Sequence, residues 1–83
     1  MTTINVKLLN KHIRMCGLSK RELARRTGVH PSTITNITRG HRYPTFQVLK
    51  LMYHTLDLTD QAFFEIFFPN NLVMSLNEEE ENL

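Results

Sequence analysis

The 83-residue sequence predicts an all-α domain built from five short helices. Three observations carry that reading. Apolar residues recur three and four positions apart, with no run of strand-like alternation. Serine or threonine stands just ahead of several apolar stretches, where a helix start needs a side-chain acceptor for its free amides. The three glycines, Gly17, Gly28 and Gly40, each fall where such a stretch stops. A chain of this length supports one domain with one modest core.

The first helix is expected from about Asn5 to Cys16, with Val6, Leu9, Ile13 and Cys16 on one face and Gly17 as its stop. Cys16 is the only cysteine, so an internal disulfide is impossible; its expected role is a small buried hydrophobe, with a redox thiol as the sharper alternative. The second helix should span Lys20 to Thr27. Ser19 and Glu22 have the spacing of a capping box, in which each side chain takes the other's backbone amide. Ala24 is small enough to let another helix come close, Gly28 ends the segment, and apolar Val29 can plug the gap that follows. The third helix is expected from Pro31 to Arg39. Pro31 suits a first turn that needs no amide donor, Ile34 and Ile37 face inward, and Ser32, Thr33, Asn36 and Thr35 face outward. Arg39 and Gly40 close it with a cation at the negative end and a glycine stop. His41 to Pro44 reads as a loop. Thr45 can cap a fourth helix to about Leu56 that offers Phe46, Leu49, Met52, Tyr53 and Leu56 to the core. A fifth helix, Leu58 to Phe68, begins at Thr59 or Asp60.

The second and third helices, joined by a tight turn, have the character of a DNA-reading helix-turn-helix. A helix with hydroxyls and an amide on its outer face, flanked by cations, suits base edges and phosphates. The charge distribution points the same way. The net charge of +2 hides ten basic residues and one acid between Met1 and Leu56, against seven acids and no base from Asp57 onward. A solvated basic surface is the plainer reading, but here the basic part coincides with the motif that would need it.

Leu23-Ala24, Gly28-Val29, Ser32-Thr33-Ile34, Ile37, Arg39-Gly40 and Pro44, taken in order, resemble the Cro/cI-like (Xre) family of bacterial and phage repressors. The resemblance covers about Ile4 to Phe68. It implies a compact five-helix, lambda-repressor-like domain over residues 1–68, followed by a C-terminal extension over 69–83. It also implies that the third helix enters the major groove of double-stranded DNA. Ser32, Thr33 and Asn36 are the expected base contacts, Asn36 being suited to a two-bond contact with adenine. Lys20, Thr35, Arg39, His41, Arg42 and Tyr43 are the expected phosphate contacts, which set register rather than sequence.

The sequence departs from the family pattern in three places. Thr38 stands where many members have a glutamate, and Ile13 where they often have an arginine; those two commonly form an ion pair, so both halves are replaced together here. Pro31 occupies a position that is often polar and base-contacting.

The fifth helix carries Phe63, Phe64, Ile66, Phe67 and Phe68, more apolar surface than so small a core readily absorbs. The plainer reading is that these residues simply close the core; the functional one is a homodimer, with Phe64, Phe67, Phe68 and Leu72 at its interface, since two-fold dimers place two recognition helices in successive major grooves. Beyond Pro69, residues Leu72, Val73, Met74 and Leu76 could form a short strand or a dimer-contacting arm, and Glu78 to Glu81 a solvated acidic end or a segment that competes with DNA for the basic face or contacts another protein.

Catalysis has little support. His12, His30, His41 and His54 lack metal-site spacing, no glycine-rich phosphate loop is present, and no cofactor or metal is expected. His30, just ahead of the third helix, is expected to touch backbone or phosphate. With no spanning segment or signal-peptide pattern, the expected location is the cytoplasm, on the nucleoid of a prokaryote or phage-infected cell. Two functions are open: a sequence-specific regulator, most simply a Cro-type repressor, and an antitoxin that binds a partner protein and uses the same domain to control its own operon.

Overall fold

The computed structural model describes residues 3–70, and these form five helices: α1 (Val6–Met15), α2 (Lys20–Thr27), α3 (Pro31–Thr38), α4 (Phe46–Thr55) and α5 (Asp60–Phe67). Every helix starts on a side chain that accepts one of its free amides. Asn5 accepts from Leu8, Ser19 from Glu22, His30 from Ser32, Thr45 from Val48 and Thr59 from Ala62. Because each cap lies just outside the helix it starts, α1 begins at Val6 rather than Asn5, and α5 at Asp60 rather than Leu58.

Helix α2 ends on Gly28, whose φ of 73° is left-handed and whose amide bonds the Ala24 carbonyl. Gly40 is constrained in two ways. Its φ is 77°, which strains any other residue, and a Cβ there would come within 3.2 Å of Val6 Cγ1, so the Val6 side chain would also have to give way slightly.

The core lies where α2 meets α3 and α4 on one side and α1 meets α5 and α3 on the other. Leu9, Leu23, Ile34, Ile37, Met52, Ile66 and Phe67 are its largest fully buried side chains. The start of α1 is tied to the end of α5, as the Asn5 amide bonds the Ile66 carbonyl at 2.8 Å. Buried Thr27 bonds back to the Leu23 carbonyl at 2.8 Å and accepts from the Val29 amide at 3.3 Å, which fixes the turn after α2.

Three expectations fail on packing. Phe46 is 76% exposed: as the first residue of α4 it lies outside the layer that buries Leu49 and Met52. Cys16 is exposed rather than buried. It sits one residue past α1, where its thiol reaches the Leu56 carbonyl at the end of α4, 3.4 Å away. Phe67 is 1% exposed and part of the core, so the interface role expected for it is excluded: presenting it to a partner would require unpacking α5. The positions of the missing ion pair are filled by burial. Ile13 and Thr38 are each 3% exposed. The Thr38 hydroxyl bonds the Thr35 carbonyl at 3.1 Å, and Asn10 links the two helices by donating to Val6 (2.8 Å) and Thr38 (3.1 Å) carbonyls.

Candidate nucleic-acid interface

Burial of Ile34, Ile37 and Thr38 fixes the roll of α3 about its axis. Ser32 and Asn36 are thereby left exposed one above the other, four residues apart on one face. Thr33 and Thr35 flank them and are half-buried. At the far end of α3, Arg39 is the C-cap, its amide bonding the Thr35 carbonyl at 3.1 Å, and the chain turns back so that the His41 amide meets the Asn36 carbonyl at 2.8 Å. That turn leaves Arg39, His41 and Arg42 exposed beside the end of the helix.

Tyr43 is placed differently from the expectation. It is half-buried, its hydroxyl donates to the Phe67 carbonyl at the end of α5, and its ring meets Phe68 edge-on at 6.1 Å. Burial raises its pKa. A hydroxyl proton committed to a backbone carbonyl is not free for a phosphate, so Tyr43 anchors the loop that carries His41 and Arg42 instead of joining it at the surface.

The start of α3 depends on His30. Its Nδ1 accepts the Ser32 amide at 3.1 Å and also lies 2.8 Å from the Ser32 hydroxyl. This is the backbone contact expected of His30, extended to a neighbouring side chain that faces outward.

Helix α2 supplies cations around the turn. Lys20, its first residue, is exposed. Arg25 and Arg26 converge on the Glu22 carboxylate, which is held below its ordinary pKa by the Arg25 hydrogen bond first and by Arg26 as well. The Glu22 amide bonds the Ser19 hydroxyl at 3.0 Å, as the capping box requires. The reciprocal arm of the box is not made: two guanidiniums compete for the carboxylate, and both outweigh a single backbone amide.

A second basic feature was not singled out in the sequence. Lys7, Lys11 and Arg14 recur along α1 at helical spacing and, with Lys20, line a groove of about 790 Å³ between α1 and the start of α2. The signal lay in the intervals of four and three residues, which place all three cations on one face. Arg21, Arg25 and His30 line a second groove of about 460 Å³ between α2 and α3.

A family model described as helix-turn-helix matches residues 11–63, which contain α2, the turn, α3 and α4 entire. The chain belongs to the Cro/cI-like helix-turn-helix family. As a member, it is a DNA-binding transcription regulator, of a family that is not typically enzymatic. Comparison with curated proteins and with solved structures gave no match. Among the described residues, no helix of this family member is long and apolar enough to cross a membrane, and no three histidine, cysteine, aspartate or glutamate residues cluster as metal ligands do. Of the expected dimer residues, Phe64 is 45% exposed and Phe68 half-buried. Leu72, the arm it belongs to and the acidic run lie outside the described residues.

Proposed function

We propose that this chain is a sequence-specific operator-binding regulator, a repressor of the Cro type encoded by a phage or mobile element, which acts as a homodimer in the cytoplasm. One observation carries the reading. The exposed face of α3 presents Ser32 and Asn36, with cations at both ends of the motif: Lys20 on α2, and Arg39 and Arg42 beyond α3. Ser32, Thr33 and Asn36 read base edges, and Lys20, Thr35, Arg39, His41 and Arg42 hold phosphates. Lys7, Lys11 and Arg14 extend the phosphate track along α1.

The second copy docks on the aromatic groove between α4 and α5, which is lined by Phe46, Lys50, Tyr53, Asp60, Phe63 and Phe64. The groove carries both signs of charge, Lys50 above the Phe46 ring and Asp60 bonded to Tyr53. A two-fold axis can therefore bring the lysine of one copy to the aspartate of the other, as a self-complementary interface requires. The same groove supports the second reading, a protein partner held in place of a second copy.

Fluorescence anisotropy tests the regulator. The purified protein is titrated against DNA selected from a random pool and against scrambled DNA at several salt concentrations. The expected result is a selected complex about a thousandfold tighter, a steep negative salt slope and a palindromic selected sequence. Equal, weak binding to both DNAs would sink the operator-reading proposal. Sedimentation equilibrium tests the dimer: the wild type should sediment as a dimer and Phe64→Glu as a folded monomer. A monomeric wild type would turn the search toward a partner protein.

A further inference from the structure

We infer that His30 sets the hydrogen-bonding polarity of Ser32, making its hydroxyl an acceptor-only reader that takes an exocyclic amino group, adenine N6 or cytosine N4, in the major groove. The inference rests on α3 being the base-reading helix and adds which chemical group Ser32 recognises.

The argument begins at the Ser32 amide. A backbone N–H can only donate, and it lies 3.1 Å from His30 Nδ1 in hydrogen-bonding geometry. Nδ1 is therefore unprotonated and the ring carries its proton on Nε2. The Ser32 hydroxyl oxygen lies 2.8 Å from the same Nδ1. Two lone pairs facing each other at that distance would repel, so the hydroxyl hydrogen points at Nδ1, whose one in-plane lone pair is shared between the two donors of Ser32. That hydrogen is then spent. The exposed side of Ser32 Oγ retains only lone pairs.

A free serine hydroxyl rotates and satisfies either a donor or an acceptor, which is why serine discriminates poorly among bases. Locked by His30, it cannot donate to guanine O6 or N7, to adenine N7 or to thymine O4. Only the amino groups of adenine and cytosine offer it a donor. Pro31 helps hold the arrangement: with no amide of its own, it leaves Ser32 as the first residue of α3 whose N–H can take the cap. His30 is thus a positioning residue that acts through Ser32.

Functional-group substitution in a selected operator tests this. Each adenine is replaced in turn by purine and each cytosine by pyrimidin-2-one, which deletes the amino group. In parallel, each purine is replaced by its 7-deaza form, which deletes an acceptor. The base pair read by Ser32 is the one at which Ser32→Ala and a base substitution lose their additivity. At that pair, amino deletion should weaken wild-type binding about fivefold, the scale of one hydrogen bond, and the 7-deaza change by less than about twofold. His30→Ala frees the hydroxyl to donate as well as accept, so exchanging the amino group for a carbonyl at that position should cost less than about twofold in this variant and clearly more in the wild type. His30→Asn keeps a cap acceptor and should preserve the wild-type penalty. Circular dichroism checks that both variants fold; if His30→Ala does not, the wild-type scan decides the polarity of Ser32 and His30→Gln, compared with His30→Asn, decides the role of His30. A wild-type penalty for the 7-deaza change but not for amino deletion would overturn the polarity while leaving Ser32 as a base reader. An amino-to-carbonyl penalty in His30→Ala as large as in the wild type would overturn the role of His30. Non-additivity with no base pair at all would remove Ser32 from the base contacts and the inference with it.

Discussion

Helices α3 and α5 are of equal length, eight residues each, and start by the same device, a side chain at the cap position accepting an amide two or three residues on. Each turns one side into the core, Ile34, Ile37 and Thr38 from α3, and Ile66 and Phe67 from α5. They differ in what is left outside. The outer face of α3 is hydroxyl and amide, and nothing in the described protein covers Ser32 or Asn36. The outer face of α5 is aromatic and largely covers itself: the Phe63 ring lies 5.4 to 5.8 Å from the rings of Tyr53, Phe64, Phe67 and Phe68. Polar groups on a surface helix stay available because water satisfies them as well as a partner does. Aromatic groups seek one another, and only the remainder is available to a partner. In this molecule that remainder is mainly Phe64 and Phe46.

The sharpest way to break the comparison is within α5. Phe67→Ala should cost about 3–5 kcal/mol by urea denaturation, because it empties a fully buried site. Phe64→Ala, less than a turn away, should cost about 1 kcal/mol when compared at protein concentrations where both chains are monomeric, and act mainly on association. If the two variants lose similar stability, α5 is not divided into a core side and a free side.

Within α3, Asn36→Ala should reduce the preference for operator over scrambled DNA by about 1–3 kcal/mol, while Arg42→Ala weakens both complexes alike. Anisotropy titrations on both DNAs distinguish them; equal losses from Asn36→Ala would remove it from the base contacts.

Tyr43 joins the two regions, since it stands in the loop after α3 and bonds the end of α5. Tyr43→Phe should cost about 1 kcal/mol of stability by loss of one hydrogen bond. The ring contact with Phe68 should remain, and DNA affinity at fixed salt should stay at its wild-type value. An equal loss of affinity for operator and scrambled DNA would show that the hydroxyl holds a phosphate after all.

The smallest effect is expected at Glu22. Its folded pKa is depressed, so its contribution to stability is present above the ordinary carboxylate range and is lost as pH falls through the lowered folded value. Glu22→Gln should remove this exposed contribution from the acid limb of a pH–stability curve. It should also free Arg25 and Arg26 and steepen the salt dependence of DNA binding. An unchanged salt slope would place both arginines away from the DNA.

Most of the fold was legible because its signals are local. Ser19, Thr45 and Thr59 cap over three residues, Gly28 ends α2 one residue past it, and Ile34 and Ile37 share a face by helical period alone. The exposed positions of Ser32 and Asn36 followed from that same period. What could not be read depends on residues far apart in the chain. Tyr43 is drawn inward by a carbonyl 24 residues away, and Cys16 meets one 40 residues away. Glu22 is the instructive local miss, where two nearby arginines displaced the bond that the capping pattern promised.

The sequence by itself determined the five helices, their starts and stops to within a residue or two, and the exposed polar face of α3, because caps, turns and periodicity act within a few residues. Only the tertiary structure decided which phenylalanines are core and which are surface, that Asn10 and buried Ile13 and Thr38 stand in for the family's ion pair, and that Tyr43 turns inward to the end of α5. Burial is a competition among all the apolar groups for one small interior, and a long-range hydrogen bond depends on which groups the fold brings together; neither outcome is written in the spacing of residues along the chain.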